Sequence, residues 1–165
     1  MKRNLFIIPA LALLVLASSS CMKSDTNNTS NCVSNNTGIP TAAEISSLQA
    51  YLSSHNITNA TLDPGGFYYY ITAPGTGPTP TLTSIVTFKY TGKLENGTVF
   101  EDNQAGYTNQ LSALILGFQK GMPLIKKGGY ITLYLPPSLG YGCGTSGAIT
   151  PGSNLIFTVE LTNVQ

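Results

Sequence analysis

Between Val86 and Asn103 the chain permits little besides an antiparallel hairpin. Val86, Phe88 and Tyr90 fall at every second position with Thr87, Lys89 and Thr91 between them, the alternation of a strand with one buried face. Asn96-Gly97 then supplies the two positive φ angles expected of a type I′ turn, and the chain returns through Val99 and Phe100. The return runs from a large aromatic straight into two carboxylates, Glu101 and Asp102. A hairpin built for stability alone needs neither, so this stretch points to a site as well as to a sheet.

The same period recurs elsewhere. After the breaker Asp63-Pro64-Gly65-Gly66, Phe67, Tyr69 and Ile71 alternate with Tyr68, Tyr70 and Thr72, until Pro74-Gly75-Thr76-Gly77-Pro78 ends the strand. Tyr130–Leu135 reads as a strand with Ile131, Leu133 and Leu135 inward, and Leu155–Leu161 as one with Leu155, Phe157, Val159 and Leu161 inward. Two segments have helical character. Thr41-Ala42-Ala43-Glu44 is a capping box followed by Ile45, Leu48 and Leu52 at helical spacing, which predicts a short amphipathic helix over Ala42–Ser54. That helix packs on the domain or, in a sharper reading, pairs with a second copy. Leu116–Met122 is a second, shorter helix, ending before Pro123, whose ring would break it. Antiparallel strands with one helix among them make an α+β domain whose sheet wraps that helix.

Lys2 and Arg3 precede an uncharged apolar run from Leu5 to Ala17, the pattern of a secretory leader over residues 1–20 and too short for the ~20 residues of a spanning helix. Ser18-Ser19-Ser20-Cys21 resembles the lipobox of bacterial lipoproteins, which implies acylation of Cys21 and a membrane anchor. Cleavage within the serine run by an ordinary signal peptidase is the alternative. Residues 21–40 are rich in Ser, Thr and Asn and read as a flexible tether, 41–65 as the helix and connector, and 66–165 as the main domain. Of the eight Lys and Arg, two fall in the leader, which leaves six against seven acids. No basic stripe remains to neutralise phosphates, so nucleic acid is not an expected partner. Cys32 and Cys143 are left once Cys21 is assigned to lipid, and export makes a Cys32–Cys143 disulfide feasible, with two independent thiols as the alternative. A single His and two distant thiols form no metal site of recognisable spacing, and nothing calls for a cofactor.

YTGKLENGTVFED, LILGFQKGM, LIKKGG, LPPSLGYG and ITPGSNLIFTVEL occur in this order, and the set resembles the FKBP-type peptidyl-prolyl cis-trans isomerases over about Gly66–Gln165. The resemblance implies an antiparallel half-barrel sheet around a short helix with an apolar pocket between them. It places the pocket tyrosine at Tyr90, the aromatic after the hairpin at Phe100 as a pocket wall, and the rim carboxylate at Glu101 or Asp102. Leu114 and Ile115 would stand before the helix, Phe118 would form the floor where Trp is common, and Tyr141 would donate a hydrogen bond to bound peptide. Ile149 and Phe157 complete the implied substrate-binding set. A further pocket aromatic of the family falls near Asn109, with Tyr107 as a substitute, and Glu101 stands where Asp is usual.

Several of these residues have plainer readings. Tyr90 and Phe157 alternate correctly as core, and Ile115 and Phe118 fit the inner face of a helix. Tyr141, flanked by Gly140 and Gly142 in a stretch without apolar period, has no packing reason to be aromatic. The expected activity is isomerisation of prolyl bonds in exported proteins, with proline-containing polypeptides as substrates and macrolides of the family as further ligands. The expected site of action is the envelope of a diderm bacterium, at the outer membrane. The rival readings are a proline-segment binding module with weak turnover and a glycan-binding lipoprotein using Phe67-Tyr68-Tyr69-Tyr70.

Overall fold

The computed structural model describes residues 38–165. The leader, Cys21, Cys32 and the tether up to residue 37 lie outside the described residues. The elements are α1 (Ala42–Ser54), β1 (Thr61–Leu62), β2 (Tyr68–Ala73), β3 (Ile85–Leu94), β4 (Val99–Gln110), α2 (Leu116–Gly121), β5 (Tyr130–Leu135) and β6 (Leu155–Val164). The strands form one antiparallel sheet in the order β1-β2-β5-β6-β3-β4.

The period-two residues divide between two cores. Phe67, Val86, Phe88, Tyr90, Ile131, Leu133, Leu155, Phe157, Val159 and Leu161 gather on the concave face around α2. The intervening residues Tyr68, Tyr134 and Ile156 are buried too, on the convex face, beneath Leu48 and Leu52 of α1. Their register explains this second core. Tyr68 pairs with Tyr134 and Tyr134 with Ile156, so the three side chains form one row across β2, β5 and β6. The capping box forms as the sequence predicts, with Glu44 N–H donating to Thr41 Oγ1 at 3.2 Å and Thr41 N–H donating to Glu44 Oε2 at 2.7 Å. Helix α1 therefore packs on its own domain.

Three local features differ from expectation or extend it. Among the described residues Asn56 is the only non-glycine with positive φ, so Asn96 does not adopt the left-handed region of a type I′ turn. Instead Gly97 N–H donates to Leu94 O at 2.9 Å and Gly97 alone has φ 84°. This is a type I turn followed by a glycine bulge, steadied by Thr98 N–H donating to Asn96 Oδ1 at 3.0 Å. Strand β4, whose end the residue pattern leaves open, continues to Gln110 with register shifts against β3. Finally, α2 gives way at Gly121 to a 3₁₀ turn, Met122–Leu124, which accommodates Pro123 because proline is tolerated near a helical start.

Leu48→Ala removes a fully buried side chain from under α1 without touching the concave face. It is expected to lower stability by about 2–4 kcal/mol in urea titration, and a loss below about 1 kcal/mol would contradict the convex-side core.

Candidate active site

The site begins with how closely α2 lies on the sheet. A Cβ added at Gly121 would stand 2.6 Å from Leu133 Cδ2, and Gly117 has still less room against Leu135. With those two positions bare, the helix settles low on β5. Phe118 between them is brought against rings from β3 and β6: Phe157 at 4.7 Å, Phe88 at 5.4 Å and Tyr90 at 6.1 Å between centroids, all steeply inclined. Edge-to-face arrangements of this kind satisfy the ring quadrupoles and hold the rings in fixed orientations.

Above these rings lies a cavity of about 270 Å³. Phe88, Tyr90, Phe118 and Phe157 form its inner wall, Ala113, Leu114 and Ile115 one side, and Tyr107, Glu101 and Tyr141 the remaining rim. Phe118, Phe157 and Tyr90 are buried, whereas Tyr141 is 38% exposed, as a residue at a mouth must be. The cavity is therefore apolar in its depth and polar only at its edge.

Few polar groups are presented to it. The Tyr90 hydroxyl donates to Glu101 Oε1 at 2.5 Å, tying the β3 ring to the β4 rim. Gln119 Nε2 donates to Leu114 O at 2.7 Å and to Ser112 O at 3.2 Å, which fastens the segment leading into α2. The Ile115 carbonyl accepts from Phe118 N–H at 2.9 Å and from Gln119 N–H at 3.1 Å, but the Ile115 amide N–H donates to nothing among the described residues. It is one of the orphan donors a helix start leaves. The Tyr141 hydroxyl also has no hydrogen bond among the described residues. Burial, reinforced by the negative charge of Glu101, raises its pKa above the ordinary 10.0.

Seven of the residues singled out from the sequence thus meet around one hollow: Tyr90, Glu101, Leu114, Ile115, Phe118, Tyr141 and Phe157. Three stand elsewhere. Phe100 does not line the cavity; its ring stands edge-on to Phe157 at 5.5 Å and covers Gly92, where a Cβ would meet it at 2.5 Å. The glycine of the YTG segment is thus the space that ring needs. Asp102 is exposed on the other face of β4 from Glu101, as strand alternation requires, so the rim carboxylate is Glu101 alone. Hydrogen bonds from Gln104 Nε2 at 2.6 Å and Thr91 Oγ1 at 2.8 Å hold the Asp102 carboxyl below its ordinary pKa. Ile149 is 3% exposed and belongs to the concave core rather than to the cavity lining.

Phe88 and Ala113 line the cavity without having been singled out, and Tyr107 takes the place of the aromatic expected near Asn109. Its ring stands edge-on to Phe88 at 5.7 Å, and Asn109 Nδ2 donates to its hydroxyl at 3.1 Å. The inward phase of Phe88 was visible in the β3 alternation, but nothing separated a wall residue from a core one. Cys143, two positions beyond Tyr141, is disulfide-bonded. Among the described residues no group of three or more His, Cys, Asp or Glu is placed to hold a metal.

A family model described as FKBP-type peptidyl-prolyl cis-trans isomerase matches residues 77–162. A probable FKBP-type peptidyl-prolyl cis-trans isomerase of Haemophilus influenzae is 43% identical over 104 residues, covering 61% of this chain and 43% of the relative. Outer membrane protein MIP of Legionella longbeachae is 37% identical over 106 residues, covering 62% of this chain and 46% of the relative. The chain thus spans less than half the length of these curated relatives. The crystal structure of FkpA from Escherichia coli superposes with a TM-score of 0.67 at 31% identity, covering 75% of this chain and 60% of that one. With the family match extending over more than half of the sequence, and the ring-walled cavity inside it, the chain belongs to the FKBP-type peptidyl-prolyl cis-trans isomerase family.

Proposed function

We propose that this chain catalyses cis-trans isomerisation of prolyl peptide bonds in exported proteins, at the envelope of a diderm bacterium. The observation that carries the reading is the cavity itself: four inclined rings, with an unengaged amide donor at Ile115 and a phenol at its mouth on Tyr141.

The chemistry needs no nucleophile. Resonance holds a peptide bond planar behind a barrier of ~18–20 kcal/mol, and prolyl bonds turn over unaided in tens of seconds or more. A half-rotated prolyl imide has lost that resonance, so its carbonyl oxygen carries less charge and needs less water. A dry aromatic cavity therefore favours the twisted form over the planar one. In this reading the Ile115 N–H holds a substrate carbonyl and the Tyr141 hydroxyl a neighbouring one, both residues lining the cavity. Tyr90, tied to Glu101, keeps the wall in place during the turn. A barrier lowered by about 5 kcal/mol gives between three and four decades in rate, and that is all the cavity has to supply.

The leader and Cys21 extend the reading to a lipid anchor at the outer membrane. The name of the Legionella longbeachae relative supports it, and so does the polar stretch of residues 22–38, which would let the domain stand off the bilayer. Cys143 is disulfide-bonded, and the reading takes Cys32 as its partner because Cys21 is given to lipid. Macrolide ligands of the family would compete for the same cavity.

A prolyl-peptide isomerisation assay on the mature chain tests the activity directly. Tyr141→Phe is expected to lower kcat/KM about tenfold, the worth of one hydrogen bond of ~1–1.5 kcal/mol. Uncatalysed rates from the correctly folded, unmutated chain would leave only the proline-binding reading, which Glu101 in place of the usual Asp favours, and titration with a macrolide would then report on the cavity alone.

Burial first, and then the hydrogen bond to Glu101, hold the Tyr90 phenol well above its ordinary pKa of 10.0. Above that pH the unfolded chain loses this proton while the folded chain keeps it, so stability falls as pH rises past about 10. Urea titrations across pH 8–11 are expected to show that fall, and to show less of it in Tyr90→Phe.

Peptide mapping without reductant is expected to recover one fragment joining Cys32 to Cys143. A Cys143 peptide joined to Cys21 would overturn both that pairing and the lipid anchor.

A further inference from the structure

The residue that faces substrate most openly, Tyr141, is also the one whose aim is least determined by its own contacts, since its hydroxyl is bonded to nothing among the described residues. Its direction depends on the backbone between β5 and β6. Close to Tyr141 that backbone is folded on itself, with Gly140 N–H and Gly142 N–H both donating to Pro137 O, at 3.0 and 2.8 Å. Leu139 and Ile149 root the loop in the concave core, and its polar ties to α1 come from the opposite side of the sheet. Ser138 N–H, three residues before Tyr141, donates to Glu44 Oε1 of α1 at 2.9 Å. At the other end of the loop Asn154, only 5% exposed, donates through Nδ2 to Ser47 Oγ of α1 at 3.0 Å and to Glu95 Oε1 at 2.7 Å.

Glu44 and Ser47 are three residues apart and so lie on one face of α1. Glu44 divides its carboxylate: Oε2 accepts Thr41 N–H in the capping box, which leaves Oε1 for the loop. Its orientation is therefore set by the helix start before it meets Ser138. Among the described residues, Ser138 Oγ and Asn154 Oδ1 are buried side-chain oxygens without a protein partner, and both belong to loop residues held this way.

We propose that α1 belongs to the working parts of the site at one remove, with Glu44 and Ser47 as positioning residues that hold both ends of the Tyr141 loop and thereby aim its hydroxyl across the cavity. Helix α1 lies before residue 77, where the family match begins. The inference rests on the prolyl reading only for the identity of the ligand that Tyr141 meets.

A double-mutant cycle between Glu44 and Tyr141 tests it, read both as kcat and KM for prolyl-peptide isomerisation and as the Kd of the same peptide by calorimetry on the mature chain. Glu44→Ala is expected to weaken the parameter that Tyr141→Phe weakens, by no more than that substitution's roughly tenfold. In a Tyr141→Phe background it is expected to do almost nothing further. Ser47→Ala is expected to give a smaller effect of the same kind. Leu52→Ala, which removes a buried side chain about two turns beyond Glu44 and touches neither Glu44 nor Ser47, serves as the control: it is expected to lower Tm with kcat, KM and Kd unchanged. Equal effects of Glu44→Ala in both backgrounds, or a lowered Tm with unchanged kinetics and binding, would overturn the proposal. Should the unmutated chain bind the peptide without turning it over, the isomerase reading fails while the cycle on Kd still decides this one.

Discussion

The site depends on one close approach, that of a six-residue helix to the strand beneath it. Because Gly117 and Gly121 carry no side chains, α2 rests directly on Leu135 and Leu133, and Phe118 drops to the level of the rings on β3 and β6. A helix this short has little stability of its own, so its position is determined by packing rather than by backbone hydrogen bonds. The same seating leaves the Ile115 amide at the helix entry without a partner among the described residues, at a residue that lines the cavity. The hollow and its donor therefore have a single origin in helix–sheet contact.

The second consequence of the sheet's geometry is that it is buried on both sides near β2, β5 and β6. Tyr68, Tyr134 and Ile156 need a cover, and α1 supplies it. Antiparallel sheets commonly leave one face to solvent; here the second face is where the chain's amino-terminal segment is received. Two phenols mark that junction, Tyr134 buried and Tyr51 partly buried, and burial raises the pKa of both.

Strand alternation made most of this architecture legible. The inward sets on β3, β5 and β6 and the capping box of α1 could be read from residue types alone. Three things could not. Asn96-Gly97 admits two hairpin turns, and the choice rests on whether Asn96 takes a positive φ, which the Asn96–Thr98 hydrogen bond decides against. The far half of β4, from Asp102 to Gln110, is polar and exposed at most positions, so it carries no apolar period for a reader to find. Distinguishing wall from core was the third: Phe88 and Ile149 are both buried apolar residues, yet only Phe88 reaches the cavity, because that depends on distances across the sheet. Ordered motifs pointed to seven residues that line the cavity, but Asp102 and Glu101 became distinguishable only once the face of β4 was known.

The long fourth strand lies at the margin of the sheet, where a row of backbone donors and acceptors could recruit a stray chain. Its register against β3 slips between Phe88 and Tyr90 and again between Gly92 and Lys93, and Gly106 bends it at a positive φ of 100°. Asn103 Oδ1 occupies the Gly106 N–H, so one rung of the open ladder is already taken. An extended polypeptide arriving from solvent would find these rungs out of step with its own. The edge is thereby made a poor template for β-pairing, and contact with an extended chain is left to the hollow on the concave face.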